Sequence, residues 1–230
     1  MSEGPRALLL ETSGRRGVVA LAAGARLLAS RALDESRRNA RDLAPAVAEL
    51  LAGAGWKARQ LEAVYVSLGP GSYTGLRVGV MSAKALAYAT GCALIGVETF
   101  GAVARQAPAV TERLDVIADA QKDNVYLQGF VREGDAWRPA GPLTITPLAD
   151  WLARRDPAAA VSGPGLAKYG DRLPADVPRV PAELREPGAE SLLALGLARY
   201  NADERDDPFA LGPIYLRPSS AEEQWQARSL

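Results

Sequence analysis

A short β-branched and aromatic run, Val64-Tyr65-Val66, meets Gly69-Pro70-Gly71 and then a helical pattern lasting from Gly75 to about Thr90. No other stretch constrains the fold as tightly. A buried strand broken by a Gly-Pro-Gly turn and followed at once by a helix belongs to a sheet flanked by helices. Ser72 or Thr74 can cap the helix start, and Gly91 supplies its stop. Within the helix, Gly75, Gly79, Ala83 and Ala87 recur every fourth residue and so share one face, bordered by Val78, Ser82 and Leu86. Each glycine in a helix interior costs roughly 1 kcal/mol relative to alanine, so Gly75 and Gly79 together give up about 2 kcal/mol. Close approach of another backbone can offset that loss. Two candidates stand open, the chain's own sheet and a helix of a second protein.

Around this unit the chain reads in order. Arg6 to Ser13 is a strand, Gly14 to Gly17 a tight turn, Val18 to Ala23 its antiparallel partner, and Ala25 to Leu33 a third strand. An amphipathic helix from about Asn39 to Ala52 carries Leu43, Val47, Leu50 and Leu51 on one face. After the central unit come a strand at Ala93 to Val97 and a short helix at Thr99 to Gln106, with Thr99 as its cap. The second half opens alike. Leu114 to Ala118 and Asn124 to Val131 are strands, the latter alternating Val125, Leu127 and Gly129 against Tyr126, Gln128 and Phe130. Gly141 to Thr146 adds a strand, Leu148 to Arg154 a short helix, and Ala159 to Ser162 a buried strand before Gly163-Pro164-Gly165. Leu173 to Pro187 is proline-rich and irregular, Ala189 to about Asn201 a helix with Leu192, Leu195, Leu197 and Ala198 inward, and Pro213 to Pro218 a rigid extended segment. Two halves that both open strand-turn-strand hint at a duplicated architecture, although the sequences are too unlike to be read as a repeat.

Composition removes several kinds of chemistry. The 230 residues contain no histidine, which excludes a Ser-His-Asp or Cys-His nucleophile and leaves any zinc site only carboxylates and one thiol. That thiol, Cys92, adjoins a strand and reads as a small buried side chain, and an internal disulfide is impossible. Ser72 fails the nucleophile-elbow pattern because Pro70 stands where glycine is needed. No Walker Gly-Lys-Ser/Thr run is present. Lysine and arginine total 27 against 27 acidic residues, which argues against a dedicated nucleic-acid surface, and the densest basic cluster, Arg37, Arg38 and Arg41, reads as a solvated face. Glu3, Gly4 and Pro5 before a leucine run do not make a secretory signal, and no apolar run approaches membrane-spanning length. A soluble cytoplasmic protein is the expectation.

With these segments laid out, the chain resembles the TsaB (YeaZ) family over nearly its whole length. The carriers are Leu8 to Ser13 ending in Glu-Thr-Ser, Ser67 to Gly79 with Ala83-Lys84-Ala85-Leu86-Ala87, Gly96 to Phe100, Asp119-Ala120 with Val125-Tyr126, and Tyr215-Leu216-Arg217. The resemblance implies an α/β fold of the actin/Hsp70-like ATPase (ASKHA) class, two lobes each with a mixed sheet flanked by helices. It divides the chain into an N-terminal lobe, 1–107, joined by the C-terminal helix region at about 189–230, and a C-terminal lobe, 108–188. It also implies a role in making N6-threonylcarbamoyladenosine in tRNA, as the non-catalytic partner of the paralogue TsaD, with TsaE as an accessory ATPase, self-association when TsaD is absent, and tRNA met only through the complex. No catalytic residue, cofactor or metal is expected of this chain. The helix position where TsaD-like relatives carry a metal-binding histidine corresponds to Asn39, a poor ligand for iron or zinc.

The family's fold holds nucleotide between two phosphate loops that begin with aspartate. Here the candidates are Glu11-Thr12-Ser13, with glutamate in that place, and Asp119, followed by Ala120-Gln121-Lys122-Asp123-Asn124 in place of the more usual Arg and Glu. The partner interface expected from the resemblance comprises Asn39, Leu43 and Val47 on one helix and Gly75, Val78, Gly79, Ser82, Ala83 and Leu86 on the other. On that basis Gly79→Leu and Val78→Asp are expected to leave the monomer folded and abolish the complex. Two alternatives remain: an ATP-hydrolysing ASKHA enzyme using Glu11 and Asp119 beside magnesium with Gly163 to Gly165 near the adenosine, and a glycoprotease-like peptidase, for which only a Ser-Lys pair with Lys84 could be assembled.

Overall fold

The computed structural model describes residues 4–33 and 38–217. Strands β1 (Arg6–Glu11), β2 (Val18–Ala23) and β3 (Arg26–Ala32) form an antiparallel meander, with Leu8 opposite Leu21 and Leu10 opposite Val19. Helix α1 (Arg38–Gly53) leads to β4 (Ala63–Gly69), which pairs parallel to β1; α2 (Tyr73–Thr90) then leads to β5 (Ala93–Glu98), parallel to β4. The sheet order is β3-β2-β1-β4-β5. β1 and β4 read as almost unbroken apolar runs because both their faces are covered. Leu8, Leu10, Val64 and Val66 face α1 and α2, through Leu43, Ala46, Val80 and Ala83. Leu9, Tyr65 and Ile95 face the opposite way.

That second face is closed by the last helix, α6 (Ala189–Asn201), which returns from the far half of the chain to lay Ala189, Leu192 and Leu193 on Leu9, Tyr65 and Ile95. Burying leucines such as Leu192 and Leu193 stabilises by about 1.5–3 kcal/mol each. Arg199 fixes the helix end by donating to the Gly96 carbonyl at 2.6 Å and to Asp206 at 3.0 Å. Ala189, Ser191, Leu192, Leu193 and Gly196 are the buried residues of α6. Leu195 and Leu197, expected inward, pack half-buried against the same cluster, while Ala198, also expected inward, is exposed. Gly196 is required because a Cβ there would lie under 3 Å from the Tyr65 ring.

Helix α3 (Thr99–Arg105) joins the two sheets. Its Phe100, Val103 and Ala104 pack on Leu114, Val116 and Phe130 of the second sheet. Thr99 does not cap it: the cap position is Glu98, without a side-chain bond, and Thr99 Oγ1 instead accepts the Gly69 N–H at 3.1 Å. The second sheet contains β6 (Arg113–Asp119), β7 (Asn124–Glu133), β8 (Ala136–Pro139), β9 (Thr144–Pro147) and β10 (Ala160–Ser162), with α4 (Leu148–Arg154) between β9 and β10 and α5 (Leu166–Tyr169) after them. β10 runs parallel to β6, β6 antiparallel to β7, and β8 and β9 share the far edge of β7. This repeats the β4-β1-β2-β3 order of the first sheet, with the third strand split in two. The alternation of β7 is two-sided: Val125 and Leu127 meet Trp151 and Tyr169, while Tyr126 and Phe130 meet Phe100 and Val116. β8 follows a Gly134-Asp135 turn, and β9 begins at Thr144, three residues later than the sequence pattern puts it. Among the described residues no helix is long and apolar enough to cross a membrane.

Candidate functional site

The C-terminal ends of β1 and β6 bring the two phosphate-loop candidates to the junction between the sheets. Glu11, Thr12 and Ser13 are all buried. One Glu11 carboxylate oxygen accepts from the Ser13 N–H at 2.6 Å and from the Ser13 hydroxyl, whereas Oε2 is buried without a partner. Burial outweighs those bonds and pushes the Glu11 carboxyl up to about 7. The Thr12 N–H donates to Ser67 Oγ at 3.2 Å, and the Ser13 carbonyl accepts the Ser72 N–H at 2.7 Å. A phosphate cradle works by offering free backbone N–H groups. In this segment the Thr12 and Ser13 donors are already bonded inside the protein, and the turn at Gly71 covers them: a Cβ on Gly71 would lie under 3 Å from Ser13.

The second candidate is more open and equally occupied. Burial alone would raise the Asp119 carboxyl, but hydrogen bonds from Lys168, Tyr169 and the Gln121 N–H outweigh it and hold the group below the usual carboxylate range. Lys168 Nζ lies 2.9 Å from Asp119 and the Tyr169 hydroxyl 2.7 Å. Gln121, Lys122 and Asp123 all have positive φ, a run that Asn124 stabilises by donating to the carbonyls of Gln121 and Lys122. In the loop after β10, Gly163 at φ +103° and Gly165 press on the backbone of Ile117, so close packing on β6 accounts for both glycines. Magnesium-nucleotide therefore does not fit these residues: one carboxylate is buried, its carboxyl pushed up to about 7 by that burial, and the other is engaged by an ammonium. Among the described residues no group of three or more His, Cys, Asp or Glu side chains could hold a metal.

The residues expected at a partner face divide into two sets. Gly75, Gly79, Ala83 and Leu43 are buried in the chain's own first lobe and offer no surface, a correction with a definite cause. A Cβ on Gly79 would stand under 3 Å from Thr12 Oγ1, and Ala83 and Leu43 pack in the core beneath α1 and α2. The stripe thus answers to the chain's own sheet, and Gly79→Leu cannot leave the monomer undisturbed. Val47, Val78, Ser82 and Leu86 are half-buried along the seam between the two helices. The backbone of Asn39 lies in α1, but its side chain is outside the described residues.

Sequence reasoning missed the outer edge of α2. Met81 is 61% exposed and Tyr88 75%, and the Tyr88 ring meets Phe209, itself 80% exposed, edge to face at 6.0 Å. Spacing gives the signal, since Tyr73, Arg77, Met81 and Tyr88 follow one helical edge. An extended segment, 211–217, lies along the same edge. Lys84 Nζ donates to the Leu211 carbonyl at 2.8 Å, and the Ile214 N–H to Leu68 at 2.8 Å. Tyr215 stacks on Tyr73 at 4.6 Å with the Arg77 guanidinium 4.3 Å from the Tyr73 ring, and Arg217 reaches the Ala120 carbonyl of the second sheet at 2.7 Å. Among the described residues Lys84 Nζ makes no hydrogen bond to a serine, and its bond to the Leu211 carbonyl speaks against the Ser-Lys arrangement.

Comparisons with known proteins agree with this architecture. The family model for TsaD, tRNA N6-adenosine threonylcarbamoyltransferase, matches residues 33–222. An uncharacterized protein of Mycobacterium tuberculosis is 34% identical over 195 residues, covering 85% of this chain and 82% of that one. The tRNA threonylcarbamoyladenosine biosynthesis protein TsaB of Haemophilus influenzae is 27% identical over 192 residues, covering 79% and 80%. The solved structure of YeaZ from Pseudomonas aeruginosa superposes with a TM-score of 0.79 at 28% identity, covering 92% of this chain and all of that one.

Proposed function

We propose, from the premise that this chain belongs to the TsaB/YeaZ family, that it serves in threonylcarbamoyladenosine formation on tRNA as a subunit that shapes a TsaD-type partner and performs no chemistry itself. One observation carries the reading: the Thr12 and Ser13 donors and the Asp119 carboxylate, which an active relative of this fold would turn to nucleotide, are bonded within the chain. An edge of α2 meanwhile carries exposed Met81 and Tyr88, with exposed Phe209 of the later segment against Tyr88. Apolar surface grouped in this way suits a protein contact. The interface then comprises Val47, Val78, Ser82 and Leu86 along the seam, with Asn39 at the α1 end and Met81 and Tyr88 on its rim. The lobes are 1–107 with about 189–230, and 108–188, of which residues 1–3, 34–37 and 218–230 lie outside the described residues. The same face would serve self-association when the partner is absent, a TsaE-type ATPase would join the assembly, and the setting is the cytoplasm.

The test is reconstitution of the tRNA modification from purified components with the TsaD-type partner held constant. Addition of this chain should raise the rate, and alone it should neither modify tRNA nor turn over Mg-ATP. Equal rates with and without it, or steady ATP hydrolysis by the chain alone, sink the reading.

A further inference from the structure

At the opposite end of the first sheet, roughly 20 Å from Glu11 by the length of a strand, a groove of about 750 Å³ is lined by Arg6, Arg26, Arg59, Trp56 and Glu62 among others. The three arginines come from separate segments: the start of β1, the start of β3 and the connection between α1 and β4. The floor that gathers them is fixed by backbone bonds, from Gly24 to Pro5 at 3.0 Å and from Glu62 to Arg6 at 2.8 Å, and by close approach of Gly4 to Gly24. Among the described residues none of the three guanidiniums makes an ion pair. The one acid in the groove, Glu62, spends Oε2 on the Arg6 backbone N–H at 2.9 Å. Arg6 is aimed by the Trp56 ring, 5.3 Å from its guanidinium carbon, so its fork stays in the groove instead of wandering in solvent. Arg26 and Arg59 are exposed.

In a chain whose charges balance at 27 against 27, three unpaired guanidiniums in one groove are a local excess that the net charge conceals. We propose that this groove is a contact for the phosphodiester backbone of RNA. Arginine's planar fork matches phosphate oxygens two at a time, and a groove lined by arginine without lysine favours that geometry. The choice of RNA over another polyanion rests on the function proposed above. The groove adds a handhold for tRNA on the side of the chain away from the interlobe junction.

The test measures binding of fluorescein-labelled tRNA to the full-length chain by anisotropy across a salt series. Three phosphate contacts predict a slope of about −2 in log K against log salt, at roughly −0.7 per contact. Arg26→Glu with Arg59→Glu should weaken binding more than tenfold at low salt and bring the slope to about −0.7. Arg26→Gln with Arg59→Gln gives the same slope change and guards against misfolding by charge reversal, with thermal melting as the fold check. An unchanged slope in the Gln pair, a parent slope near zero, or displacement of tRNA by submillimolar inorganic phosphate or AMP overturns the proposal, the last by assigning the groove to a small phosphate. Because this assay needs no partner, its failure is distinct from a failure of the scaffold reading, which the reconstitution reports. In the reconstituted reaction the Gln pair should raise KM for tRNA and leave kcat unchanged, and an unchanged KM also counts against the groove.

Discussion

Replacing Gly79 with alanine sets two opposed effects on one residue. An interior helical glycine exchanged for alanine gains about 1 kcal/mol of helix propensity. Against this, the added Cβ would sit under 3 Å from Thr12 Oγ1 and 3.2 and 3.3 Å from Thr12 Cβ and Cγ2. Neither side can yield easily. Thr12 is fully buried with its N–H on Ser67, and the start of α2 is pinned by the Ser72 N–H on the Ser13 carbonyl. Overpacking of this kind costs typically 1–3 kcal/mol, and contact at such a distance falls toward the upper end. The net expectation is destabilisation of about 1–2 kcal/mol, which for a chain of this length lowers Tm by roughly 2–8 °C. Thr12→Ala removes the two outer atoms of the clash and a hydroxyl that has no partner. The double variant should therefore recover at least ~1 kcal/mol relative to the sum of the singles. Gly53→Ala, where a Cβ meets nothing within 4 Å, is the control and should not destabilise. Urea and thermal unfolding of the four-member cycle decide it. If Gly79→Ala melts at or above the parent, or the cycle adds within about 0.4 kcal/mol, the stripe does not bear on Thr12 and the packing account is wrong.

Three further outcomes follow from the site. Glu11 has its folded value near 7, above its ordinary 4.5, so the native state holds the extra proton between them and stability should fall as pH rises through that window, by up to roughly 3 kcal/mol. Glu11→Gln should flatten that slope in urea melts at pH 5 and pH 8; a slope that persists assigns it to other groups. Arg217→Ala deletes a charged hydrogen bond to the Ala120 carbonyl, worth about 1.5–3 kcal/mol where geometry is good, and should raise amide exchange at Ile214 and Asn124 by tenfold or more, with unchanged exchange refuting the link. Met81→Asp places a charge on a residue 61% exposed, so Tm should stay within about 2 °C while co-elution with the TsaD-type partner is lost; retained co-elution removes Met81 from the interface.

What the sequence made legible was what local chemistry decides. Ser72 accepts the Gly75 N–H at 3.2 Å and Gly91 ends α2 in the left-handed conformation, as their residue types require. β2, α4 and α6 have the limits that periodicity and glycine boundaries give them. The destination of the Gly75-Gly79-Ala83-Ala87 stripe was not local, since a close approach to one's own sheet and to a second protein demand the same small residues. Only the position of Thr12 separates them. Thr99 shows the same limit: at a helix start its hydroxyl suits a cap, yet the Gly69 N–H, 30 residues earlier in the chain, takes it. β8 escaped notice because its four residues, Ala136-Trp137-Arg138-Pro139, end in a proline and offer only one large apolar side chain. The seam residues Val47, Val78, Ser82 and Leu86 could be named from helical spacing, whereas Phe209 and Tyr215 join α2 through folding of a distant segment that carries no periodicity.

The return of α6 to the first sheet sets an order of events on the ribosome. β1, β4 and β5 can pair as soon as they leave the exit tunnel, but the side of Leu9, Tyr65 and Ile95 that α6 covers has no lid until residues 189–201 have been translated. At about 5–20 residues per second, that wait lasts on the order of 5–20 s. During it a nascent chain presents a greasy plane to solvent, and chaperones that hold nascent chains have a defined surface to bind; truncations ending before Ala189 should be their most avid clients.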